Sequence, residues 1–121
     1  DLIFLSASFQ GKFKEKDTVK KKMEILRKKK DEAQPTQVKT GGSTFKNPIN
    51  QTNKKVWELI KSSVPKNITF GDAKISEKHC NFLVNKNKAT YKDMKKLIDF
   101  VKRNVKEKTG INLDLEIEII E

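Results

Sequence analysis

With 121 residues the chain suits one domain, large enough to bury roughly two-thirds of its unfolded surface without disulfides or metal. One cysteine and one histidine exclude an internal disulfide framework and a Cys/His metal cluster, and no apolar run reaches membrane-spanning length. The formal net charge of +11 suits an anionic partner, yet all but two of the 27 basic residues are lysines, which point more to solvated faces than to arginine-led reading of nucleic acid.

The chain opens Asp1-Leu2-Ile3-Phe4-Leu5 with no initiator Met, so a fragment of a longer protein is expected. The run Leu2 to Phe9 followed by Gln10-Gly11 predicts a strand ending in a turn. Asp17 is placed to cap a helix whose apolar positions are Val19, Met23 and Leu26, and Pro35 stops it. The segment Thr36 to Ile49 reads as loop, with Gly41-Gly42 presenting Ser43 at the tip of a turn. Thr52 or Asn53 is expected to cap a short helix with Val56, Trp57, Leu59 and Ile60 inside, Trp57 as a core anchor.

Beyond Gly71, a polar turn feeds a predicted strand from about Cys80 to Val84. Thr90 with Asp93 reads as a capping box for a helix whose Tyr91, Met94, Leu97, Ile98, Val101 and Val105 recur at helical spacing until Gly110. Leu113, Leu115, Ile117 and Ile119 alternate with Asp114, Glu116 and Glu118, which predicts a last strand with one apolar and one acidic face. The fold class expected from this order is α+β: a two-layer domain spanning residues 1–121, with a small, mainly antiparallel or mixed sheet covered on one face by the 17–31 and 90–109 helices.

Three strings carry a resemblance. Gly42-Ser43-Thr44-Phe45-Lys46-Asn47-Pro48, the segment Gly71-Asp72-Ala73-Lys74-Ile75-Ser76-Glu77-Lys78-His79-Cys80-Asn81-Phe82, and Leu113-Asp114-Leu115-Glu116-Ile117 resemble, in order and spacing, the signatures of the UDP-N-acetylenolpyruvoylglucosamine reductase (MurB) family. Gln34-Pro35 ahead of the serine loop is a further landmark, while Asp72 stands where the family commonly has Gly, Glu118 where Arg is common and Glu121 where Gly is expected.

The resemblance implies a C-terminal substrate-binding domain of a cytoplasmic flavoenzyme that serves peptidoglycan precursor synthesis, and through it cell wall biogenesis, cell shape and division. It implies UDP-N-acetylglucosamine enolpyruvate as substrate, with NADPH as reductant and FAD bound by N-terminal domains absent from this chain. Ser43 then matches the residue that protonates C2, and Glu116 the catalytic carboxyl group that polarises the enolpyruvyl carboxylate. Lys46, Asn47 and His79 fall at substrate-binding positions. Serine is a poor acid in water, so its alkoxide needs stabilisation, for which Lys46 and the loop amides are candidates. No cluster among Gly11, Gly41, Gly42, Gly71 and Gly110 can form a phosphate-cradling loop, so no cofactor site is expected in this chain, and the lack of a Cys/His cluster means no metal site is expected either. The fragment alone is expected not to turn over.

The alternative is a basic α+β module that binds RNA or DNA, supported by the charge and by Lys39 and Lys46 around the glycine pair. Against it stand the scarcity of arginine and the lack of aromatics interleaved with basic residues on a strand. The reductase reading therefore expects no nucleic-acid and no membrane partner, and places the Ser43 loop and Glu116 together at an end or open face of the sheet.

Overall fold

A computed structural model describes residues 3–35 and 38–120. Asp1, Leu2, Thr36 and Glu121, which the sequence reading includes, lie outside them. The chain divides into two compact units, residues 1–30 and 31–121. In the first, no strand forms over residues 3–9, contrary to the sequence expectation, and Ile3, Phe4, Leu5, Phe9 and Phe13 are exposed. The helix α1 (Lys16–Ala33) begins one residue before Asp17 and stops ahead of Pro35, and it buries none of its residues, Val19, Met23 and Leu26 included.

The second unit carries the core. Its sheet comprises β1 (Lys39–Ser43), β2 (Thr69–Phe70), β3 (Ala73–Ile75) and β4 (Phe82–Asn85), in the order β1-β4-β3-β2 with every pair antiparallel. The helices α2 (Val56–Ser63) and α3 (Tyr91–Thr109) pack on one another, and α3 lies against β2 and β3. This is the expected α+β class, with α2 and α3 rather than α1 supplying the helical layer of this unit. Phe45, Leu59, Ile60, Leu97, Val101, Val105 and Leu113 are its largest fully buried apolar side chains, each contributing about 1.5–3 kcal/mol by leaving water.

The α3 stripe follows the expected spacing, with Leu97, Ile98, Val101 and Val105 buried, although Tyr91 at its head is exposed. Its capping box closes as expected: the Thr90 N–H donates to Asp93 Oδ2 at 2.9 Å and the Asp93 N–H donates to Thr90 Oγ1 at 3.2 Å. Gly110 ends the helix at φ +74°, the left-handed conformation that glycine adopts without a Cβ penalty.

Three further expectations are corrected. Residues 113–119 keep the alternation, with Leu113 buried, Leu115, Ile117 and Ile119 half-buried and Asp114, Glu116 and Glu118 exposed, but they form one antiparallel bridge, Phe45 to Leu115, rather than a strand. Trp57 is 40% exposed, not a core anchor; it sits one position off the stripe formed by Val56, Leu59 and Ile60. Neither Thr52 nor Asn53 caps α2: the cap position is Lys55, whose N–H donates to Glu58 Oε2 at 2.7 Å.

Candidate functional site

Ser43 closes β1 instead of sitting at a turn tip. The β1–β4 register pairs Thr40 with Val84 and Ser43 with Phe82. Three steps along β1 thus match two along β4, a β-bulge at Gly41-Gly42. Gly42 takes φ +87°, and the bulge is the reason this glycine is needed. Exposure still alternates through the bulge, with Lys39, Gly41 and Ser43 exposed and Thr40 and Gly42 half-buried. Ser43 emerges exposed, and Thr44, beside it, is buried at 2%.

The two residues after Ser43 are held by Asn81, just ahead of β4. Thr44 N–H donates to the Asn81 carbonyl at 2.8 Å. Phe45 N–H donates to Asn81 Oδ1, and Asn81 Nδ2 donates back to the Phe45 carbonyl, both at 2.9 Å. On the other side Lys46 N–H donates to the Asp114 carbonyl, and Glu116 N–H to the Thr44 carbonyl, each at 2.9 Å. The amides of residues 44–46 are therefore all consumed within the protein. The expectation that loop amides help stabilise a Ser43 alkoxide fails for these three, and the Lys46 ammonium remains.

Those backbone bonds bring Glu116 opposite Thr44, next in sequence to Ser43. Ile117 Cγ2 lies 3.7 Å from where a Cβ on Gly41 would stand. The carboxyl of Glu116 is on an exposed residue, as are the side chains of Ser43 and Lys46.

Asn47 does structural work as well. Its Oδ1 accepts the Val56 N–H at 3.0 Å, so it caps α2 from outside the helix and ties the serine loop to it. Asn47 is itself exposed. Asp72, at the family's glycine position, accepts the Lys88 N–H on Oδ2 at 2.9 Å while its carbonyl accepts the Lys86 N–H at 2.8 Å, so its carboxylate closes the turn after β4.

His79 stands apart from this group. It lines a cleft of about 480 Å³ with Trp57, Lys61, Lys66, Lys78 and Cys80, among others, and neither Ser43, Lys46, Asn47 nor Glu116 contributes to that lining. Its Nδ1 accepts the Asn81 N–H at 3.2 Å and its ring meets Phe82 edge-on at 5.0 Å between centroids. In the neutral ring the proton then sits on Nε2, the nitrogen left for a ligand. Lys61 Nζ lies 5.9 Å from the Trp57 ring centroid, so this cleft pairs an aromatic face with cations.

Sequence reading assigned no role to Asn81, although it lies within one of the three strings; a carboxamide directly before an apolar strand is the signal that was available. Among the described residues, no cluster of three or more His, Cys, Asp or Glu could hold a metal, and no helix is long and apolar enough to cross a membrane. The glycines with positive φ serve a bulge, a turn and a helix C-cap, at Gly42, Gly71 and Gly110, so they do not fit a flavin-nucleotide cradle.

The family model for the UDP-N-acetylenolpyruvoylglucosamine reductase C-terminal domain matches residues 34–120. A UDP-N-acetylenolpyruvoylglucosamine reductase of Pelagibacter ubique is 64% identical over 120 residues, covering 99% of this chain and 40% of the relative. The corresponding protein of Methylorubrum populi is 40% identical, covering 99% of this chain and 38% of its own length. The crystal structure of UDP-N-acetylenolpyruvylglucosamine reductase (MurB) from Thermus caldophilus superposes with a TM-score of 0.66 at 34% identity, over 88% of this chain and 36% of that one. The chain thus spans about two-fifths of the length of these relatives. It belongs to the UDP-N-acetylenolpyruvoylglucosamine reductase family, whose C-terminal domain it carries.

Proposed function

We propose that this chain is the substrate-binding, proton-donating domain of a longer cytoplasmic flavoenzyme that reduces UDP-N-acetylglucosamine enolpyruvate to UDP-N-acetylmuramate with NADPH, for peptidoglycan precursor synthesis and so for cell shape and division. The observation that carries this reading is the backbone junction that brings Ser43, Lys46 and Glu116, from two separated family strings, to one end of β1. The hydride for C3 comes from FAD carried by N-terminal domains outside this chain. The residues of this chain handle the proton and the substrate.

Ser43 O–H gives its proton to C2 as C3 receives the hydride; the O–H bond breaks, a C2–H bond forms and the double bond is lost. The alkoxide left behind is stabilised by Lys46 and takes a proton from solvent. Glu116 is the carboxyl group that polarises the enolpyruvyl carboxylate as charge develops at C2. Asn47 and His79 are substrate contacts, through the amide NH2 and Nε2 respectively. The exposed apolar side chains at Ile3, Phe4, Leu5, Phe9 and Phe13 support a chain that continues into further domains, since soluble proteins seldom leave such surface open.

Binding tests this directly. The full-length protein is titrated with UDP-N-acetylglucosamine enolpyruvate and, in parallel, with a short RNA, at low and high salt. Saturable nucleotide-sugar binding that salt weakens little is expected, since a hydrogen-bonding pocket depends less on counterion release than phosphate-backbone contact does. Tight, steeply salt-dependent RNA binding with none of the nucleotide sugar would favour the nucleic-acid alternative instead.

A further inference from the structure

We infer that Asn81 is a positioning residue for the proposed proton donor: its carboxamide fixes the main chain between Ser43 and Lys46, and with it the direction of both side chains. The inference rests on the function proposed above. Asn81 is 4% exposed, and its side chain makes two 2.9 Å bonds to the main chain of one residue, the N–H and C=O of Phe45. Its own carbonyl holds the Thr44 N–H, so three bonds from one residue fix two successive positions after Ser43. A carboxamide is the group for this task, since it offers a coplanar donor and acceptor and mimics a strand neighbour without ladder geometry. Such a neighbour is needed because β1 has just been thrown out of register by the bulge at Gly41-Gly42, and a bulge leaves the ladder locally broken.

The same clamp reaches Glu116. The peptide joining Thr44 to Phe45 donates its N–H to Asn81 Oδ1 and accepts the Glu116 N–H on its carbonyl, and Phe45 bridges Leu115. Losing the Asn81 carboxamide leaves a buried donor and acceptor unsatisfied and frees the segment that aligns both groups. A displacement on the order of 1 Å at a reacting group costs about 100-fold in rate. Binding of the substrate by other contacts is affected less.

The test uses Asn81→Asp and Asn81→Ala in the full-length protein. The aspartate keeps the acceptor for the Phe45 N–H but sets a second oxygen against the Phe45 carbonyl; alanine removes both bonds. Expected are losses in kcat for reduction of the enolpyruvyl substrate of at least about 10-fold for Asn81→Asp and about 100-fold for Asn81→Ala, a KM change smaller than either, and reduction of the flavin by NADPH within about twofold of wild type. Folded variants with unchanged substrate reduction, or with both half-reactions lowered equally, would overturn the inference. Amide hydrogen exchange on the unaltered protein gives a reading that needs no variant to fold: the Thr44 and Phe45 amides are expected to exchange as slowly as those of β3 and β4, and loop-like exchange rates there overturn the clamp. Should the unaltered protein fail to reduce the enolpyruvyl substrate at all, the proposed function fails, while the exchange rates still decide the clamp.

Discussion

One extra residue in β1 sets the register in which Ser43 meets Phe82 of β4. Gly42, at φ +87°, absorbs the bulge; Gly41 beside it has ordinary space, the nearest atom to an added Cβ being Ile117 Cγ2 at 3.7 Å. The two glycines look alike in sequence and differ in consequence. Gly42→Ala is expected to cost about 1–2 kcal/mol in denaturant unfolding, the penalty of a positive φ for an L-residue, and Gly41→Ala to cost under about 0.5 kcal/mol. Equal effects would refute the bulge as the reason for the pair. The sequence showed that flexible residues precede Ser43, but a turn tip and a bulge use the same Gly-Gly, and only the pairing with β4 separates them. The capping bond of Asn47 and the clamp of Asn81 were hidden for a related reason: a carboxamide's partner is remote in sequence, 9 residues away for Asn47 and 36 for Asn81.

At the scale of elements, legibility followed local information. The α3 helix carries its own signals, a capping box, an apolar stripe and a C-terminal glycine; the cap and the glycine act as read, and four of the six stripe residues are buried. Thr90→Ala is accordingly expected to cost about 1 kcal/mol in thermal or denaturant unfolding. The Thr90 N–H and hydroxyl hold the Asp93 carboxyl below its ordinary value of 3.8. A carboxyl whose pKa is lowered by folding stabilises the folded state above its unfolded pKa, and that contribution disappears as pH falls through the folded one. The stability advantage of the unaltered chain over Asp93→Asn is therefore expected to be full near neutral pH and to shrink below about pH 4; an advantage independent of pH would contradict the assignment. Gly71 belongs to the same unit, since a Cβ there would stand 2.8 Å from Asp93 Oδ2. The strands misled where alternation was the only signal. Residues 113–119 alternate as a strand does, yet they meet the sheet only beside the bulge, where the ladder supports one bridge. Trp57 shows the limit of composition: an aromatic among aliphatics suggests core, but its position in the helical turn turns it outward.

For the molecule as a whole, family membership was legible in three strings that the fold brings close through the chain's own backbone, while residues 3–13 were not, because an apolar run reads as a strand whether or not a sheet is present to receive it. The net charge of +11 draws anions of every kind and so could not choose among nucleotide sugar, nucleic acid and lipid. The proposed role of Ser43 is delivery of the proton to C2. Its most direct test is single-turnover kinetics of the full-length protein and its Ser43→Ala variant, first reduced with NADPH and then mixed with UDP-N-acetylglucosamine enolpyruvate. The expected result is flavin reduction at the wild-type rate and substrate reduction slowed by about 100-fold or more, the scale of a lost general acid. Substrate reduction by Ser43→Ala at the wild-type rate would contradict the assignment of Ser43 as the proton donor.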